Sequence, residues 1–256
     1  MTYEVVGLAD KLEQASSIDE RLDLICEPLR DFGFNSFVYD YSPVPISHDG
    51  RIIPPTLMKC KNVPGDFKSV WLSQGYTRID PVQVLATQSL APFIWSLHDG
   101  GNATIRTILQ PDHAPVVGYL LDNRMACGIT VPMHLPDGTL ASFTAIRDDP
   151  ERDFEAGANR CLSEAALLGC LFNKAIYPTL DDRTKTCQHI QLTKRERECL
   201  QWCARGLTAK EIAHRLGRSI GTVTLHINNA TRKLGARSRT QAVARAAYYR
   251  FLDGAC

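Results

Sequence analysis

The sequence predicts an α+β body, a sheet flanked by helices, followed by an all-α unit of four short helices. Three observations carry this. Up to about residue 176, strand-like segments alternate with amphipathic helical ones. From Thr193 onward, the pairs Thr193/Glu196, Thr208/Glu211 and Ser238/Gln241 have capping-box spacing. In that arrangement the first side chain accepts from the third helical N–H and the third reaches back. Charge divides the same way. Residues 190–256 hold 13 Lys and Arg against 4 Asp and Glu, and residues 1–189 hold 16 against 24. A net charge of +1 thus hides an acidic body joined to a basic tail.

Along the body, Ser17 and Glu20 form a further capping box, with Leu22, Ile25, Cys26 and Leu29 at helical spacing and Gly33 as the stop. Phe34–Tyr41 reads as a strand. Residues 42–63, rich in Pro and polar side chains, read as a loop with room for a strand near Arg51–Ile53. Pro64 and Pro81 suit first-turn helix positions, and Asp80 suits the cap of the second helix. The first of these helices places Phe67, Val70 and Trp71 on one face. Residues 99–117, with Gly100–Gly101, Pro111 and Pro115, give no assignment. Cys127–Leu135 and Thr139–Ile146 are strands joined by a hairpin turn at Pro136-Asp-Gly138. A long helix is expected from about Asp153 to Ala175, broad enough on its apolar face to cover a sheet. Residues 177–191 lack periodicity and form the linker. The predicted domains are therefore 1–176, the linker 177–191, and 192–256.

In the tail, Leu192, Leu200, Trp202 and Cys203 form the inner stripe of the first helix, and Ile212, Ala213 and Leu216 that of the second. Val223, Ile227, Ala230 and Leu234 do the same for the third, which begins at Ser219. Gly206 and Gly217 stop the first two. Helix-turn-helix units place the first turns of a recognition helix against base edges in the major groove, while Arg and Lys further along hold phosphates. The candidate DNA-contacting residues are Thr208 and Lys210 at the start of the second helix, then Ser219, Gly221, Thr222, Thr224, Leu225 and Asn228, with Arg232 and Lys233 lower down. Double-stranded DNA is the expected partner. Thr224 cannot make the bidentate contact that Arg makes to guanine, so few direct base contacts are expected.

Composition excludes other classes. Hydrophobic residues at 44% suit a folded protein rather than a disordered one. No apolar run is long enough to cross a bilayer, and the first residues lack a signal-peptide pattern, so a cytoplasmic protein is expected. Nine cysteines without framework spacing argue against a disulfide scaffold. Cys199 and Cys203, one helical turn apart, have no partner pair at ligand spacing, so packing rather than metal binding is expected. No Gly-x-Ser-x-Gly elbow, His-Glu-x-x-His pair or phosphate-binding glycine loop is present, and neither an enzyme nor a bound cofactor is expected.

These residues carry a family likeness. Leu-Thr-x-Arg-Glu-x-Glu-x-Leu at 192–200, Gly206, Glu211-Ile-Ala213, Leu216, Ser219, Thr222-Val223, His226, Asn229 and Lys233-Leu234 resemble the helix-turn-helix domain of LuxR-type transcriptional regulators. Asn62 to Pro81, Pro92-Phe-Ile-Trp95 and Gly128-Ile-Thr-Val-Pro132 resemble the autoinducer-binding domain of the quorum-sensing branch. The resemblance implies an α–β–α sandwich enclosing an acyl-homoserine lactone, joined to the DNA-binding unit and acting as a homodimer. It implies that Asp80 accepts from the ligand's amide N–H and that Trp95 is an aromatic wall near the lactone ring. Thr144 then hydrogen-bonds the acyl carbonyl, and Thr130 lines the same cavity. Two key positions depart from the pattern. The lactone-binding tryptophan falls at Phe67, which has no N–H to donate, and the tyrosine one turn later falls at Trp71. A further tyrosine of the pocket falls at Val63. Two readings follow: a regulator responding to an acyl-homoserine lactone or related small molecule, or an orphan regulator whose N-terminal domain serves only dimerisation, with Phe67, Trp71 and Trp95 as core.

Overall fold

The structure, a computed structural model, describes residues 2–98, 103–147 and 154–252. Gly100, Gly101, Asp153 and Cys256, which figured in the sequence reading, lie outside the described residues. Contacts divide the chain into two compact units, residues 1–46 with 51–181, and residues 182–256 with the short segment 47–50.

The first unit is built on a five-stranded antiparallel sheet. Its strands are β1 (Ser36–Ser42), β2 (Leu57–Lys61), β3 (Phe93–Ser96), β4 (Cys127–His134) and β5 (Leu140–Arg147), in the order β2-β1-β5-β4-β3. Side chains alternate between faces with the period of two that a strand imposes. Phe37, Tyr39 and Tyr41 of β1, with Phe143 of β5, point to one face. There they meet α1 (Thr2–Gln14), α2 (Ile18–Arg30) and the 23-residue α7 (Phe154–Ile176). Tyr39 fixes the seam: its ring packs edge-on against Phe172 at 4.9 Å, and its hydroxyl donates to Asn173 Oδ1 at 2.7 Å. Val38, Trp95 and Ile146 point to the opposite face, which is covered by α3 (Phe67–Ser73), α4 (Pro81–Gln88), α5 (Ala103–Arg106) and α6 (Ala114–Asp122). The result is a three-layer α–β–α sandwich.

Several elements differ from the sequence reading. The loop over residues 42–63 contains β2, while Arg51–Ile53 contributes only an isolated bridge between Ile46 and Ile52. β2 escapes pattern reading because it is an edge strand whose inner row includes Lys59 and Lys61, which pair with Asp19 and Asp23 of α2. The helix after Pro64 starts only at Phe67, whose N–H donates to the Pro64 carbonyl at 3.0 Å. Pro111 and Pro115 launch helices: the first opens a 3-10 turn and the second occupies the first turn of α6. The α2 capping box is half displaced. Ser17 accepts from the Glu20 N–H, but the Glu20 carboxylate reaches Ser16 N at 2.7 Å. After α7 the chain continues as a 3-10 turn, Tyr177–Thr179, and Leu180 is buried in the first core.

The second unit holds α8 (Lys194–Ala204), α9 (Ala209–Leu216), α10 (Ile220–Lys233) and α11 (Arg239–Tyr248). Thr193/Glu196 and Thr208/Glu211 are complete capping boxes. At Ser238 the return bond shifts by one residue, with Gln241 Oε1 accepting from Arg237 N at 2.6 Å. Gly217 ends α9 at φ +59°, a left-handed conformation that glycine adopts without strain. Leu200, Cys203, Ile212, Val223, Ile227, Ala230 and Leu234 are buried as expected, and Cys199 joins them. Trp202 packs against this core as a partly buried member of the stripe. Half-buried at the rim, its ring carries Arg205 at 4.8 Å and Arg215 at 4.5 Å.

Candidate ligand pocket and nucleic-acid interface

The second sheet face and its helices enclose a small cavity of about 20 Å³. The sheet contributes Val38 and Asp40 of β1, Trp95 of β3, and Thr144 and Ile146 of β5. The helical layer contributes Phe67 and Trp71 of α3, Asp80, Val82 and Gln83 at the start of α4, and Leu120 of α6. The structure therefore brings Phe67, Trp71, Asp80, Trp95 and Thr144 to one cavity, although they span residues 67 to 144.

Thr130 stands behind the wall rather than in it. Its hydroxyl accepts from Trp95 Nε1 at 3.0 Å and lies 3.0 Å from Thr144 Oγ1, so it ties the indole to the hydroxyl that faces the cavity. Gly128, paired with Trp95 across β3 and β4, makes that position possible. A Cβ there would lie 2.5 Å from the Ala145 carbonyl oxygen and 2.9 Å from the Trp95 ring.

Asp80 performs two tasks. Its Oδ1 caps α4 by accepting from Val82 N at 2.8 Å, and its Oδ2 accepts from Trp71 Nε1 at 3.0 Å. Burial raises its pKa, and those two donors oppose the rise. Phe67 has no donor of its own and stacks on Trp71, with ring centroids 4.1 Å apart. Tyr119 packs edge-on to Trp71 at 5.4 Å and donates to Asp66 Oδ1 at 2.8 Å, backing the aromatic pair. Val63 is a half-buried neighbour of this cluster.

Asp40 was not anticipated. It is 5% exposed, as is Asp80. Its Oδ2 accepts from Gln83 Nε2 at 2.8 Å, while Oδ1 is buried without a hydrogen-bond partner. Burial first, and then the nearby Asp80 carboxylate, push its pKa up to about 8. The signal lay in the strand pattern: an aspartate between Tyr39 and Tyr41 shares the face of Val38, opposite the aromatic row. Gln83 gave no such signal.

On the second unit, Thr208, Lys210, Ser219, Gly221, Thr224, Leu225, Asn228 and Arg232 are exposed, and Leu225 is 57% exposed on α10. Thr222 is half-buried. The hydroxyls of Thr208, Ser219 and Thr222 are engaged within the caps: Thr208 donates to Glu211 at 2.7 Å, and Ser219 and Thr222 lie 2.8 Å apart. Lys233, expected at a phosphate, is exposed and donates its ammonium to Glu196 Oε2 at 2.8 Å. Glu196 is buried at 3% exposure, and burial works against its charge. Lys233 and the Thr193 N–H outweigh that, holding the carboxyl below its usual range. Among the described residues, no cluster of three His, Cys, Asp or Glu could hold a metal, and no helix is long and apolar enough to cross a membrane.

Residues 17–176 match the autoinducer binding domain family, and residues 190–246 match the bacterial regulatory proteins of the luxR family. The transcriptional activator protein BjaR1 of Bradyrhizobium diazoefficiens is 31% identical over 223 residues, which is 87% of this chain and 85% of BjaR1. Two solved structures share the fold. SdiA in complex with octanoyl-rac-glycerol gives a TM-score of 0.58 at 20% identity, covering 97% of this chain and 95% of its own. The N-acylhomoserine lactone dependent LuxR family transcription factor CepR2 of Burkholderia cenocepacia gives 0.52 at 18% identity, covering 68% of this chain and 94% of its own.

Proposed function

The chain belongs to the LuxR family of quorum-sensing transcriptional regulators, and from that premise we propose that an acyl-homoserine lactone or related acyl compound in the Asp80 cavity controls DNA binding by α10. The observation that carries the ligand reading is the convergence of Asp80 and Thr144 on a cavity otherwise walled by apolar and aromatic groups. A buried amide needs its N–H and carbonyl satisfied, whereas an acyl tail needs only apolar walls. Asp80 accepts from the amide N–H, Thr144 serves the acyl carbonyl, Thr130 holds Thr144 and Trp95 in place, and Trp95 flanks the ring. CepR2 is described as lactone dependent and SdiA is held with an acylglycerol, which fits an acyl ligand. Ligand sites run to about 300–1,000 Å³, so Phe67, Trp71 and Tyr119 must part to admit one.

The DNA side of the proposal assigns base edges to Gly221, Thr224, Leu225 and Asn228, and phosphates to Lys210 and Arg232. Thr208, Ser219 and Thr222 set the helix starts and line the same face. Lys233 belongs to the frame through Glu196. We take residues 1–176 and 192–256 as the sensing and DNA-binding domains, 177–191 as the joint between them, the acting form as a homodimer, the compartment as the cytoplasm, and the protein as non-catalytic.

A second reading is favoured by two observations: Trp71 already supplies Asp80 with an N–H, and the cavity is small. In that reading the domain binds no lactone and serves dimerisation. Melting the protein with and without N-octanoyl-homoserine lactone, with mass spectrometry of what co-purifies, separates the two. A rise in melting temperature and a recovered lactone support the first reading, and neither effect supports the second.

A further inference from the structure

We propose that Asp40 is a second polar anchor of the pocket, selecting ligands that carry an oxygen, as a hydroxyl or keto group, on the acyl chain near the amide. This rests on the lactone reading of the cavity. Asp40 lies on β1, lines the cavity, and is 5% exposed. Gln83 holds one of its carboxyl oxygens at 2.8 Å, and the other is buried with no partner. Such an orphaned oxygen costs about 1–3 kcal/mol. Packing alone does not require it, since a valine would extend the apolar row begun by Val38. A ligand atom that reaches this oxygen offsets the cost.

Position and chemistry narrow the ligand. Gln83 follows Asp80 by three residues on α4, a rise of about 4.5 Å, so Asp40 is held near the first atoms of a chain whose amide meets Asp80. Trp95 lies three strands away on β3, at about 14 Å, which places the ring end on the other side. No Lys, Arg or His lines the cavity among the described residues, and Gln83 and the Lys68 ammonium oppose the rise in the Asp40 pKa less than burial and Asp80 drive it. With burial and Asp80 beside it, Asp40 is held as a neutral acid, pushed up to about 8. A neutral carboxyl donates an O–H, which a hydroxyl or keto oxygen accepts and an alkyl chain cannot.

The test is calorimetric binding of N-octanoyl-homoserine lactone against its 3-hydroxy and 3-oxo forms, on the full chain and on Asp40→Val. The unsubstituted protein should bind the oxygenated chains about tenfold or more tightly than the plain chain. Asp40→Val should reverse the order, and Asp40→Asn, which keeps a donor, should retain it. Equal binding of all three lactones by the unsubstituted protein overturns the role of Asp40 while leaving the lactone reading intact. Binding of none overturns both. Should Asp40→Val fail to fold, the order of affinities of the unsubstituted chain decides alone.

Discussion

The pocket and the helix-turn-helix unit are assembled by opposite rules. In the second unit the helix starts are fixed by partners close in sequence: Thr193 with Glu196, Thr208 with Glu211, Ser219 with Thr222. The pocket is built from partners far apart, such as Trp95 with Thr130, Thr130 with Thr144, and Asp40 with Gln83. A unit closed by local signals can keep its shape while its outer face varies. A cavity closed by distant residues changes character when one of them changes, and Phe67 is a position where this chain departs from the pattern it resembles.

Five experiments probe that contrast. The largest effect is expected from protonation of the pocket. Because the folded pKa of Asp40 is raised from an ordinary 3.8 to about 8, its contribution to stability is present below pH 4 and is lost as pH rises to about 8. The slope approaches about 1.4 kcal/mol per pH unit while the group titrates. In denaturant titrations Asp40→Asn should flatten most of that slope, with Asp80 leaving a residue of it, and an unchanged slope would exclude a buried, titrating Asp40. Next, Gly128→Ala should destabilise the first unit by about 3 kcal/mol through the clash at Trp95 and Ala145. A fully native near-ultraviolet circular dichroism spectrum and unaltered melting would show that the sheet gives way more easily than its packing indicates.

In the second unit the expected losses are smaller. Lys233→Ala leaves Glu196 buried without its cation and should cost about 2 kcal/mol, less than a fully buried pair because the Lys233 side chain is one-third exposed. If it instead lowers only DNA affinity with stability intact, Lys233 faces phosphate after all. The mildest change, Ser238→Ala, removes one cap and should cost about 1 kcal/mol. Arg232→Ala offers the functional counterpart. Its stability should hold while the salt dependence of DNA binding falls by about one unit of slope, equally for all sequences.

The same contrast explains what the sequence revealed. Helix starts were legible because a cap and its partner sit three residues apart, and the hairpin at Pro136-Asp-Gly138 because a turn is written in adjacent residues. β2 was not, since its alternation of apolar and cationic residues has meaning only once Asp19 and Asp23 lie beside it. β3, four residues long, is defined by its pairing with β4 rather than by its own pattern. The placement of Phe67, Trp71, Asp80, Trp95 and Thr144 around one cavity came from family resemblance. That resemblance was silent on Asp40, and it set Thr130 in the wall where geometry sets it behind. Trp202 read as interior and does pack against the core, but spacing alone cannot show that two guanidinium groups also cover its ring.

The bond from Trp71 to Asp80 has one more implication. If Asp80 receives the amide of an incoming ligand, as proposed above, the Trp71 N–H is an internal competitor for it. Any arriving molecule must share or evict that indole, which raises the dose at which the switch is thrown. Substituting a single aromatic side chain can thereby set how crowded a population must be before it is heard.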